Sequence, residues 1–198
     1  MKIILPVLFA LLLSVSGISQ PFNSAKGFFT AGEDFKNKNM YPEAMMSFKR
    51  AIALDKTFDS AYVGLGEVFI KIGQPDSAIA NFYKALSINP EMTTAMLYLA
   101  NQYRDVRPNY DSAIILYNLA LKTYSLNKVT YYSIAWCYNA KTEYEKAIPY
   151  AVKALEIDNN YRPAYGELGH AYRRTGKFAE AIEQFKKNIA VSVIDLPV

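Results

Sequence analysis

The sequence predicts an all-α fold, an α-solenoid of five stacked helix-turn-helix repeats, and three observations carry that prediction. An alanine recurs at Ala44, Ala78, Ala113, Ala147 and Ala181, at intervals of 34, 35, 34 and 34 residues. Two apolar stripes of helical period travel with it, one upstream and one starting at the alanine itself. Turn residues stand where the stripes break. A fixed period of this length marks an array, in which each unit buries its apolar face against its neighbours only.

The upstream stripe falls at i, i+3, i+4 and i+7. It reads Phe28, Ala31, Gly32, Phe35, then Tyr62, Leu65, Gly66, Phe69, and continues with Met96, Leu99, Ala100, Tyr103. Tyr131, Ile134, Ala135, Tyr138 and Tyr165, Leu168, Gly169, Tyr172 complete it. This spacing lays one face along a helix of 3.6 residues per turn. The second stripe runs at i, i+4, i+7 from each alanine, as in Ala78, Phe82, Ala85 and Ala113, Tyr117, Ala120. If the small residue of the first stripe and the alanine of the second both face the contact, the two backbones approach closely while the aromatics fill the flanks. Enlarging Gly66 or Ala78 then overpacks the pair at roughly 1–3 kcal/mol each.

Gly73-Gln74-Pro75 and Thr175-Gly176-Lys177 are turn sequences, and Asn39 stands at the same place in the first unit. The third unit carries one extra residue there, within Asp105-Val106-Arg107-Pro108-Asn109-Tyr110, between the stripes. Thr142 and Glu145 form a capping box for the second helix of the fourth unit, while Pro149 inside that helix removes a hydrogen bond and predicts a local kink.

With these residues in place the chain resembles the tetratricopeptide repeat family. Its pattern is an aromatic, leucine-glycine and tyrosine on the first helix, then alanine, an aromatic and alanine on the second, with a closing proline. Repeat two matches through Tyr62, Leu65, Gly66, Phe69, Ala78, Phe82, Ala85 and Pro90. Repeat four departs with Ala151 at the aromatic place, and repeat five with Asn188 at the last alanine. The resemblance implies a right-handed superhelix over residues 25–195, with repeats at 25–58, 59–92, 93–127, 128–161 and 162–195.

The first residues have another character. Lys2 precedes an apolar run from Ile3 to Val15, followed by Ser16, Gly17 and Ser19, the layout of a secretory signal peptide. The run is shorter than the roughly 20 apolar residues a membrane-spanning helix needs. Residues 1–19 are therefore expected to be a cleaved leader, 20–24 a short lead and 196–198 a tail. The mature protein is expected to be exported, periplasmic in a Gram-negative source and otherwise secreted, with no stable membrane anchor after cleavage.

The chain is 52% apolar and 20% charged, which fits a folded domain and excludes disorder outside the ends. A net charge of +4 is too mild for a nucleic-acid partner. Cys137 is the single cysteine, so no internal disulfide forms, and His170 is the single histidine. No metal-ligand spacing, phosphate loop or nucleophile motif is present, so neither catalysis nor a cofactor or metal is expected.

Function then rests on surface. Carried over from the family, first helices line a concave groove through Phe29, Glu33, Lys36, Val63, Glu67 and Ile70 in the first two repeats. Tyr98, Asn101 and Arg104 continue it, followed by Tyr132, Trp136 and Asn139 and then by Arg162, His170, Arg173 and Arg174. Tyr98, Tyr132 and Trp136 are candidates for holding an extended peptide or protein tail, because aromatics and arginines dominate binding hot spots. Arg104, Arg173 and Arg174 are candidates for pairing with a partner's carboxylate. The family's carboxylate clamp is not reproduced: Leu97, Asn101, Ser133, Arg162 and Glu167 supply two matches in five, and Glu167 reverses a charge. The expected function is a non-catalytic adaptor for proteins in the cell envelope. The rival is an oligomerisation subunit that uses the apolar C-terminal end, which runs from Asn188 to Val198 with few charges.

Overall fold

The computed structural model describes residues 24–194, which form ten helices and no strand. They are α1 (Ala25–Asn37), α2 (Tyr41–Leu54), α3 (Asp59–Lys71), α4 (Pro75–Ile88), α5 (Thr93–Asp105), α6 (Tyr110–Thr123), α7 (Lys128–Ala140), α8 (Tyr144–Ile157), α9 (Arg162–Arg174) and α10 (Phe178–Ile194). The leader, residues 20–23 of the lead and the tail lie outside the described residues.

Each odd-numbered helix pairs with the even-numbered helix after it, and each even-numbered helix packs on the next repeat. First helices also pack directly on one another, α1 on α3 and α7 on α9, so the odd-numbered row is the inner, closer-spaced side of the stack. No helix among the described residues is long and apolar enough to cross a membrane.

The turn inside a repeat is a left-handed residue. Asn39, Gly73, Thr142 and Gly176 occupy equivalent places with φ of 60°, 73°, 61° and 78°. The following N–H then reaches back to the closing aromatic of the first helix, as from Gln74 to the Phe69 carbonyl at 2.8 Å and from Lys177 to Tyr172 at 2.8 Å. This bond satisfies a helix-end carbonyl. In the third repeat the same bond survives the extra residue, running from Asn109 N to the Tyr103 carbonyl at 2.8 Å. Asn109 then caps α6 by accepting from Ser112 N at 3.1 Å.

Thr142 is thus a turn residue and not a cap. The helix it was expected to start begins at Tyr144, after an N-cap Glu143 that makes no side-chain cap bond. The left-handed turn claims Thr142, and Glu143 instead pairs with Lys141 at 2.6 Å and Lys146 at 2.7 Å. Pro149 sits on an exposed position of α8, which stays one helix of 14 residues.

Packing inside a repeat sets an aromatic, not the alanine, against the small residue of the first helix. A Cβ added at Gly32 would lie 2.7 Å from the Phe48 ring, at Gly66 2.5 Å from Phe82, and at Gly169 2.6 Å from Phe185. Phe48 is fully buried because Gly64 of the next repeat closes its other side, where a Cβ would meet it at 2.6 Å. Repeat four solves the problem differently. Ala135 faces Ala147 and Ala151 with no ring between them, and Tyr150, one position earlier, sets its ring 5.5 Å from Tyr138 and 6.4 Å from Tyr131.

Candidate protein-binding face

The inner row consists of residues that the helical period turns away from both stripes, and these residues largely bind one another across repeats. Lys36 reaches Glu33 at 2.8 Å and Glu67 of the next repeat at 2.8 Å. Burial pulls the Lys36 pKa down, but the hydrogen bonds that its ammonium donates to the two glutamates outweigh it and leave the value raised. Tyr98 stacks flat on Phe82, 5.3 Å between centroids and 6° between planes. Its phenol pKa is pushed up to about 12, first by burial and then by Glu67. Tyr98 therefore belongs to the acidic early part of the row, apart from Tyr132 and Trp136.

Arg104, Tyr132, Trp136 and Asn139 come together in the middle of the array. The Arg104 guanidinium donates to Asp105 at 2.6 and 2.7 Å and to Ser133 Oγ at 2.6 Å, and lies 5.9 Å from the Trp136 ring. The bond to Asp105 holds its pKa above the ordinary value against the opposing effect of burial. Trp136 meets Tyr110 edge-on at 5.8 Å, and Tyr132 meets Tyr161 edge-on at 5.7 Å. Burial, then the Glu167 charge, raises the Tyr132 pKa, while Arg104 lowers it.

Two expected groove residues are instead buried. Val63 is 4% exposed and packs with Phe82, Ala95 and Leu99, because the stacked next repeat closes over it. Asn139 is 6% exposed and bridges to repeat five, where its Nδ2 donates to the Glu167 carbonyl at 3.0 Å and to Oε2 at 2.8 Å. Its Oδ1 is a buried acceptor with no hydrogen-bond partner. Asn101 is also engaged, accepting from the Tyr117 hydroxyl at 2.5 Å.

His170 is half-buried beside the Tyr144 ring at 5.8 Å, and Arg174 lies over that same ring at 5.0 Å, turned toward α8. Arg173 is exposed and makes no ion pair among the described residues. Sequence reasoning missed Tyr161 as the partner of Tyr132 and Ser133 as the anchor of Arg104. The signal for Ser133 and Glu167 lay in the register: both share the place that Gly64 and Tyr98 occupy, where successive first helices touch. Cys137 is buried and its thiol pKa is raised to about 12 by that burial. No group of three His, Cys, Asp or Glu residues among those described is placed to hold a metal ion.

The tetratricopeptide repeat family model matches residues 59–92, 129–161 and 163–191. Anaphase-promoting complex subunit 6 of Arabidopsis thaliana is 24% identical over 179 residues, covering 88% of this chain and 33% of that protein. The chain thus spans about a third of the length of this relative. Among solved structures, MamA from Desulfovibrio magneticus RS-1, from its residue 41 to the end, superposes with a TM-score of 0.81 at 18% identity, over 87% of this chain and 97% of that one. YrrB, described as a tetratricopeptide repeat protein with an unusual peptide-binding site, gives 0.77 at 18% identity, over 85% and 87%. Helix pairs in register, the alanine-aromatic-alanine stripe and three matched segments give this chain the fold and the repeat signature of the tetratricopeptide-repeat proteins.

Proposed function

We propose that the chain is an exported, non-catalytic scaffold that holds an extended protein segment along the inner side of α5, α7 and α9. One observation carries the reading: the half-buried rings of Tyr132 and Trp136 lie one turn apart on the inner side of α7. Trp136 and Tyr132 offer broad contact area with few rotatable bonds, and Arg173 offers an unpaired cation one repeat further on. Arg104 serves this reading as a fixed support for Trp136, since Asp105 and Ser133 already use its donors. Repeats of this family mediate protein-protein interaction, and the peptide-binding site described for YrrB is a precedent on the same fold. Export rests on the leader-like residues 1–19.

Panning a random peptide library against the full chain tests the binding reading, with Trp136 fluorescence as the reporter because it is the only tryptophan. Selected peptides are expected to shift its emission and to bind at least about tenfold more weakly to Tyr132→Ala and Arg173→Ala. Peptides that bind these variants and wild type equally well would remove the inner face from consideration. Export is tested by N-terminal sequencing of protein from its native host, where an intact Met1 contradicts it.

A further inference from the structure

The two ends of the array are unlike, and each resembles one half of an internal junction. At the four internal junctions, the places of Tyr144, Ile148, Ala151 and Leu155 in α8, and their equivalents in α2, α4 and α6, are all buried or half-buried by the following first helix. In α10 these places hold Phe178, Ile182 and Phe185, which are 64%, 54% and 37% exposed, and an exposed Ile189. This helix carries the same large apolar set that elsewhere seats the next repeat.

The opposite end supplies a matching seat. The outer face of α1 carries an open cavity of about 550 Å³ lined by Gly27, Thr30, Ala31, Asp34 and Phe35, among others. These are the places of Ala61, Gly64, Leu65, Val68 and Phe69 in α3, the face that takes α2. Small side chains leave α1 hollow where α10 is bulky. One place departs from the pattern. Asp34 stands where the internal repeats bury Val68, Gln102, Cys137 and Ala171.

We propose that copies of this chain associate head to tail, α10 of one seated in the α1 cavity of the next, with Asp34 weakening the junction. The contact continues the geometry of the internal junctions, so it is heterologous and open and does not close as a pair. Lys186 flanks the apolar row of α10 at the place of Val152, which packs toward α9 in the preceding junction, so Asp34 gains a cation of opposite charge. The Asp34 carboxylate, now paired with Lys38 at 2.7 Å on the surface, still loses water in the junction. A symmetric α10 pair is the poorer fit, because it offers no first-helix face such as receives the second helix at every internal junction.

Sedimentation velocity of the full chain over a concentration series tests this independently of the inner-face reading, since Ile182 and Ala31 lie off that row. A growing series of oligomers is expected. Ile182→Glu, which disables the bulky end, and Ala31→Glu, which disables the seat, should each give monomers, and an equimolar mixture of the two should give a dimer that grows no further. Asp34→Ala combined with Lys186→Val, which installs the internal residue types at both places, should tighten association by about tenfold or more. Circular dichroism confirms that each variant keeps its helices. A wild-type monomer, a closed dimer, a mixture that stays monomeric, or an Asp34→Ala/Lys186→Val variant no tighter than wild type would each overturn the proposal.

Discussion

Gly66 lies directly under the ring of Phe82: a Cβ there would stand 2.5 Å from Cε1, inside any permitted contact. The ring cannot withdraw, because Tyr98 of the next repeat is stacked on it. Gly66→Ala is therefore expected to destabilise the fold by roughly 1–3 kcal/mol. Gly166→Ala is the control with the opposite sign. Its added methyl meets only Asn188 Nδ2, at 3.6 Å. A gain of roughly 0.5–1 kcal/mol is expected there from helix propensity. Urea unfolding of both variants checks the pair.

Thr142 holds a left-handed backbone, with φ of 61°, at the place where two other repeats use glycine. A β-branched residue pays for that conformation through its Cβ. Thr142→Gly is expected to stabilise by about 0.5–1 kcal/mol, the relieved strain exceeding the added chain entropy. A rise in the thermal midpoint would show it, and a fall would mean that the threonine side chain contributes more than it strains.

Lys36 keeps two carboxylates, Glu33 and Glu67, on one partly buried site. Replacing it with methionine leaves the two acids facing one another without a cation. Lys36→Met should lose stability, and adding Glu67→Gln to that variant should restore part of the loss, as urea unfolding would read. A double variant no more stable than Lys36→Met would show that the ammonium acts only through packing.

Cys137 is buried, and burial lifts its thiol pKa from 9.0 to about 12. Since the thiolate is the reactive form, the native protein should react with a thiol reagent only on unfolding. The folded pKa lies above the unfolded one, so the folded chain holds a proton that the unfolded chain gives up. Its contribution to stability is complete below pH 9 and is lost as the pH rises toward 12. Cys137→Ala should flatten the alkaline limb of the stability curve over that window. Prompt labelling of native protein at neutral pH would contradict the burial.

Helices and turns were legible in the sequence because period 3.6 and left-handed turn residues are local signals. Gly73, Gly176 and Asn39 all take the positive φ that their positions imply. Stacking was less legible. The sequence marks Val63 as lying between the stripes, but only the arrival of repeat three decides that it is buried. Asn139 was read as a groove residue for the same reason, and its burial comes from Glu167, 28 residues further along the chain. The ring-on-glycine contact was half visible: the two positions were evident, and their pairing was not. Thr142 misled because a threonine three residues before a glutamate suits a cap as well as a turn, and the backbone geometry of the neighbouring repeats decides between them.

The longer turn between α5 and α6 has a practical consequence. Its closing bond from Asn109 to Tyr103 tolerates an additional residue while the helices on either side keep their phase. Arg107 and Pro108 at its tip are exposed, with the Arg107 side chain paired to the exposed Asp76. A fluorophore-bearing loop or a short affinity sequence placed at this tip would report on the middle of the molecule while leaving both ends unmodified.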